Sequence, residues 1–181
     1  SHLGWIVATI GVGTPFAIAA ALVHTLAHAL FKSSIFMLIG VIDHEAGSRD
    51  IRRLGVLWNK MPWTFGSMLI GAASMAAVPP LFGFVSKEGM LTAFEGAPLS
   101  NTGVVILLTV AAIGAIGTFA YSARLVFGAF VDGPRNVDHI TEAPISLWLP
   151  AAIPGVLSLP AAFAAGAILN RPLDRVADTV G

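Results

Sequence analysis

The stretch LVHTLAHALFK, residues 22–32, places His24, His28 and Lys32 four residues apart inside a long apolar run. On a helix each step of four advances about one turn with an offset of about 40°, so the three side chains share one stripe, about 6 Å apart. Imidazole titrates near neutrality, and a lysine deprived of water has its pKa pulled down toward that range. Three such groups in register form the skeleton of a proton relay, with water bridging neighbours too far apart for direct transfer. The same residues allow two other chemistries. A static polar network would hold helices together, and two His one turn apart could share a metal, for which lysine is a poor ligand.

Depth weighs toward the relay. Lys32 stands about 25 Å from the predicted start of its helix and about 15 Å from its end by helical rise. A charge so placed costs at least about 2.5–3.5 kcal/mol on insertion scales. A second constellation follows at Lys87-Glu88. Pro79-Pro80 removes two backbone donors just before it, and Gly83 and Gly89 loosen the helix around it. Broken helices at membrane depth line a hydrated cavity or bury in protein, so a lysine at the break can exchange its proton with water. The competing reading makes Lys87-Glu88 an interfacial pair at a helix end. Glu95 and Arg124 also fall within predicted helices, near enough to an end to reach water by snorkelling.

The elements that must position these groups are apolar helices. The 181 residues are 56% hydrophobic and only 11% charged, with mean hydropathy +0.82. Soluble domains carry about a quarter charged residues, and apolar blocks here reach membrane-spanning length, so the class is a polytopic α-helical membrane protein. Ten basic and ten acidic residues give zero net charge, which argues against a nucleic-acid partner. With no cysteine, disulfides and iron–sulfur chemistry are excluded for these residues.

Residues 1–13 read as the second half of a helix cut in the middle, and the chain as a fragment of a longer protein. Thr14-Pro15 is a helix start, with a helix expected to Ile42. Residues 43–60 read as a polar surface loop with a short amphipathic helix around Ile51 to Trp58. Pro62 to Val78 is a second candidate span, closed by Pro79-Pro80. Leu81 to about Glu95 reads as part of a broken helix, and 97–101 as a turn. Gly103 to Val131 is a long span, 132–144 a second polar loop, Ile145 to Leu169 a last span, and NRPLDRVADTVG an interfacial tail. Four Lys/Arg in 43–60 against one in 132–144 would make the first loop cytoplasmic.

HTLAHALFKSSIFMLIG (24–40) resembles the His-x-x-x-His-x-x-x-Lys helix of the antiporter-like subunits shared by respiratory complex I and Mrp-type cation/proton antiporters. AASMAAVPPLFGFVSKEGM (72–90) resembles that family's Pro-rich stretch and the broken helix after it, with the lysine in GFxSK. TFAYSARLVFGAF (118–130) resembles the family's next helix. Within the family, DHEAGSRDIRRLG (43–55) and the Ser-Lys-Glu at 86–88 are similar to the Mrp large subunit. These motifs cover residues 1–131; the rest follows by position.

The resemblance implies an all-α, polytopic transmembrane bundle of inverted repeats, of which this chain would supply most of the second. Residues 1–131 would form the C-terminal part of the proton-conducting domain, and 132–181 a polar loop, a further transmembrane helix and the tail. It implies roles as well. Lys32 would be the central-axis lysine, with His24 and His28 as relay partners. Lys87 would be the broken-helix lysine at the exit half-channel, and Glu88 would tune its charge. Function would be proton translocation in a multisubunit Na+/H+ antiporter of the cell's inner (plasma) membrane. Partners would be other subunits, protons, Na+ or another monovalent cation, and the lipid bilayer. No cofactor or resident metal is implied. Two rivals stand: the equivalent subunit of complex I or a membrane-bound hydrogenase, and a structural membrane subunit without transport.

Overall fold

The computed structural model describes residues 2–133, 137 and 139–165. These include the helices α1 His2–Gly11, α2 Pro15–Ala46, α3 Pro62–Met75, α4 Phe82–Glu95, α5 Asn101–Phe130 and α6 Ile145–Val156, with a further helical stretch over 158–165 and no strand among the described residues. Three helical stretches are long and apolar enough to cross a membrane: Pro15–Ala46, Asn101–Phe130 and Ile145–Ala165.

α1 and α2 make a tight antiparallel hairpin. Gly13, at φ 78, supplies the left-handed residue of the turn. Thr14 caps α2, its side chain accepting from the Ala17 N–H, and Pro15 opens the helix where a missing N–H costs nothing. The hairpin fixes heights. His2 lies nine residues before the end of α1 and His24 nine after the start of α2, so both stand about 14 Å from the turn by helical rise.

α2 is longer than expected. It runs through Asp43, His44 and Glu45, which were expected in the loop, and stops at Gly47, whose φ of 66 and N–H bond to the Asp43 carbonyl form the cap. The amphipathic helix expected around Ile51 to Trp58 is absent; only turns occur there. Burial explains the difference. Leu54 and Leu57 are drawn into the core, and the Trp58 N–H bonds to the Phe130 carbonyl at the end of α5. Gly133 presses so close to Leu54 that a Cβ would overlap its carbonyl oxygen.

α3 also departs from expectation. It has 14 residues, about 21 Å of rise, against about 30 Å of hydrocarbon, so it is not the full span expected over Pro62 to Val78. Its end is a Schellman arrangement: Val78 N–H bonds to the Ala73 carbonyl and Ala77 N–H to that of Ser74, with Ala77 at φ 65. The other end is held by Glu142, whose carboxylate accepts from the N–H groups of Trp63 and Thr64 and from the Thr64 hydroxyl. That bond reaches from the loop before α6 and carries the stacked Trp63 and Trp148 rings with it.

α2 is the axis of the bundle, with α1, α3, α4 and α6 packed on it. Phe31, Leu38, Met68, Met75, Met90 and Phe130 are fully buried there. α6 approaches α2 closely, since Ser34 donates to the Ala151 carbonyl and its Oγ would be only 2.9 Å from a Cβ on Gly155. Val137, Ile140, Ala151 and Ala162 join the same core as α2 and α3. The expected end of the last span beyond Ala165, and the tail, lie outside the described residues.

Candidate functional site

The α4 break begins with a steric requirement. Gly83 faces the last turn of α3 so closely that a Cβ would overlap the Ser74 carbonyl, so only glycine lets the two helices meet there. Leu81 stands at the cap position with no side-chain acceptor to offer. The orphan donors of α4 are met by two serines instead. Ser158, just past α6, accepts from Phe82 N–H at 3.0 Å, and Ser74 accepts from Gly83 N–H at 3.2 Å; the two hydroxyls bond each other at 2.8 Å.

One turn into α4 come Ser86 and Lys87, both buried. Lys87 Nζ donates to the Met75 carbonyl at 3.1 Å. In an uninterrupted helix that carbonyl would receive the N–H of residue 79, but residue 79 is proline and has none. The break and the lysine therefore answer one another: the proline frees an acceptor and the ammonium takes it.

Ser86 leads back to α2. Its Oγ lies 3.0 Å from His24 Nδ1 and donates to the Gly83 carbonyl at 3.1 Å. The other ring nitrogen of His24, Nε2, lies 3.2 Å from His2 Nδ1, and His2 Nε2 lies 3.0 Å from the Tyr121 hydroxyl. Four helices thus contribute one side chain each to a continuous hydrogen-bonded row: Tyr121 on α5, His2 on α1, His24 on α2 and Ser86 on α4. His24 is 0% and His2 4% exposed, with their rings stacked at 5.4 Å. Phe31 closes the row on one side, its centroid 5.1 Å from His2 and 6.4 Å from His24.

The remaining sequence-selected residues fall around this row. His28 is half-buried, 5.4 Å from the His2 ring and edge-on to Phe31 at 5.5 Å. Lys32 is half-buried, with Nζ over the Tyr121 ring at 5.6 Å and the Phe36 ring at 5.9 Å. Glu88 is exposed while Lys87 is buried, as expected of successive helical residues about 100° apart, and no ion pair joins them among the described residues. Glu95 and Arg124 are exposed as well. No three His, Asp or Glu among the described residues converge as a metal site would require.

Three members of the row do not stand out in the sequence. His2 is alone at the chain start, Ser86 is an uncharged residue inside a longer motif, and Tyr121, the only tyrosine, lies far along the chain. The one available signal is the hairpin arithmetic that sets His2 level with His24.

Comparison with known proteins bears on this arrangement. A family model described as NADH:quinone oxidoreductase/Mrp antiporter, TM matches residues 1–114. One of the Na(+)/H(+) antiporter subunits of Alkalihalophilus pseudofirmus is 41% identical over 179 residues, covering 87% of this chain and 22% of the relative. Among solved structures, the Mrp complex from Dietzia sp. DQ12-45-1b contains a chain that matches with TM-score 0.79 and 46% identity, over 93% of this chain and 19% of that one. A chain of the membrane-bound sulfane sulfur reductase, an archaeal respiratory membrane complex, matches with TM-score 0.80 and 29% identity, over 90% and 26%. The chain therefore spans about a fifth of the length of the curated relative.

Proposed function

The chain belongs to the NADH:quinone oxidoreductase/Mrp antiporter transmembrane family, and on that premise we propose that it is the part of an Mrp-type antiporter large subunit that carries protons between Lys32 and Lys87. The observation that carries this reading is the unbroken hydrogen-bonded row joining the central stripe of α2 to the α4 break. Titratable groups at hydrocarbon depth are costly, and a row that links them offers a function for that cost. Lys32 holds a proton at the axis, His28 and His24 line its way, and Lys87 exchanges it at the break. Glu88 acts on Lys87 through the field across α4, since it faces outward. The pump forms no covalent intermediate; it changes which amine is protonated as neighbouring charges change. The exchanged cation is Na+ in this reading, the partners are the other subunits of the complex, and the site of action is the plasma membrane.

The test is Lys32→Ala and Lys87→Ala in the full antiporter complex, read as cation-driven proton movement in everted membrane vesicles. Exchange should be abolished while the complex is recovered in wild-type amount. Wild-type exchange in both variants would leave only a structural role. The similarity to the respiratory membrane complex favours a second reading, in which the same row is driven by electron transfer. Purification decides between them: flavin and iron–sulfur subunits accompany the protein only in the second case.

A further inference from the structure

The proposed relay names no step at His2 or Tyr121, yet the hydrogen-bonded row on which it rests runs through both. His28, which the α2 stripe offers as the next step from Lys32, makes ring contacts with His2 and Phe31 and no hydrogen bond within the described residues. Tyr121 lies between the two ends instead. Its ring sits under the Lys32 ammonium and its hydroxyl bonds His2, which bonds His24. We propose that Tyr121 and His2 are relay residues: a proton leaving Lys32 steps off α2 to Tyr121 on α5, crosses His2 on α1 and rejoins α2 at His24. This inference rests on the proton-carrying reading above and specifies its route.

Proton counting gives the row two orders. A neutral imidazole has one N–H and one free nitrogen, and the bond between His2 Nδ1 and His24 Nε2 holds a single hydrogen. Two orders satisfy every bond between the four side chains. In the first, Tyr121 donates to His2, His2 to His24, His24 to Ser86, and Ser86 to the Gly83 carbonyl. In the second the donations reverse, and Ser86 turns from Gly83 to His24. The first order is the one in which Ser86 donates to the Gly83 carbonyl.

From it, the Lys32 side chain moves from over the Tyr121 ring to its oxygen, and the proton delivered there displaces the phenolic hydrogen onto His2 Nε2. His2 yields its Nδ1 hydrogen to His24 Nε2, His24 yields its own to Ser86 Oγ, and Ser86 passes its hydroxyl hydrogen through one bridging water to an unprotonated Lys87 amine, the water taking one proton and giving one up. One proton has left Lys32, one has reached Lys87, and every intermediate is neutral again. The row now stands in the second order and must reset before the next passage in the same sense. Passage is one proton at a time, from Lys32 toward Lys87 in the first order and in the opposite sense in the second.

Tyr121→Phe and His2→Gln test the route in the full antiporter complex. Phenylalanine keeps the ring beneath Lys32 and removes only the hydroxyl; glutamine can still hydrogen-bond its neighbours but takes up no proton. Both variants should slow cation-driven proton exchange at least tenfold at wild-type recovery of the complex, with the residual rate falling further in D2O than the wild-type rate does. Wild-type exchange in either variant overturns the route. So does slow exchange without the added isotope effect, or loss of assembly in both, because either outcome marks a structural role. Lys32→Ala and Lys87→Ala run alongside keep the two claims separate. If these retain exchange, the proton-carrying reading itself fails; if they lose it while Tyr121→Phe and His2→Gln keep it, only the route fails.

Discussion

The Met75 carbonyl is available to Lys87 because Pro79 stands four residues on without an N–H. A similar economy governs Ser86, whose hydroxyl serves both His24 and the Gly83 carbonyl in a buried setting. Ser86→Ala would leave His24 Nδ1 buried without a partner, a loss of about 1–3 kcal/mol. Thermal unfolding of the purified complex should show that loss, and Ser86→Thr, which keeps the hydroxyl, should recover most of it. At this scale the sequence is readable where charge and spacing coincide. His24, His28 and Lys32 stand out because three titratable groups at intervals of four in an apolar run are improbable and costly. Ser86 does not stand out, because a serine in a helix carries no mark of depth. Tyr121 is ordinary until its neighbour is known, and that neighbour lies 119 residues away.

Among the elements, α4 depends most on others. Its first donors are met by Ser158 and Ser74, neither within α4, and its approach to α3 requires Gly83. Ser158→Ala strips Phe82 N–H of its acceptor and leaves Ser74 only its bond from the Gly83 N–H. The expected cost is again about 1–3 kcal/mol. It should concentrate at the break, so proteolysis or amide exchange in the assembled complex should report α4 opening before the long helices do. Unchanged protection across α4 would contradict that account. The start of α2 was legible, as Thr14-Pro15 caps it by an ordinary side-chain bond, whereas α5 begins at Asn101, inside the expected turn, because Ser100 caps it on the Gly103 N–H. The length of α3 was not. Periodic apolar character continues to Val78, while the helix ends at Met75 because the prolines deprive its last carbonyls of donors. Nor was the path of 51–58, where Leu54 and Leu57 follow the core rather than a helical repeat.

For the whole molecule, the all-helical membrane class followed from composition alone, since so few charges and so much apolar length leave no soluble alternative. Which helices adjoin did not follow, because apolar faces that all look alike do not specify partners. The row Tyr121–His2–His24–Ser86 exists only through that adjacency, and His24 is the member on α2 that joins it to the break, bonded on both ring nitrogens. The most direct measurement of whether the row carries protons is therefore His24→Gln in the full complex, assayed as cation-driven pH change in everted vesicles. Glutamine spans the same neighbours with hydrogen bonds but cannot accept one proton while releasing another. The account predicts wild-type amounts of assembled complex with exchange lost, and exchange at the wild-type rate would contradict it.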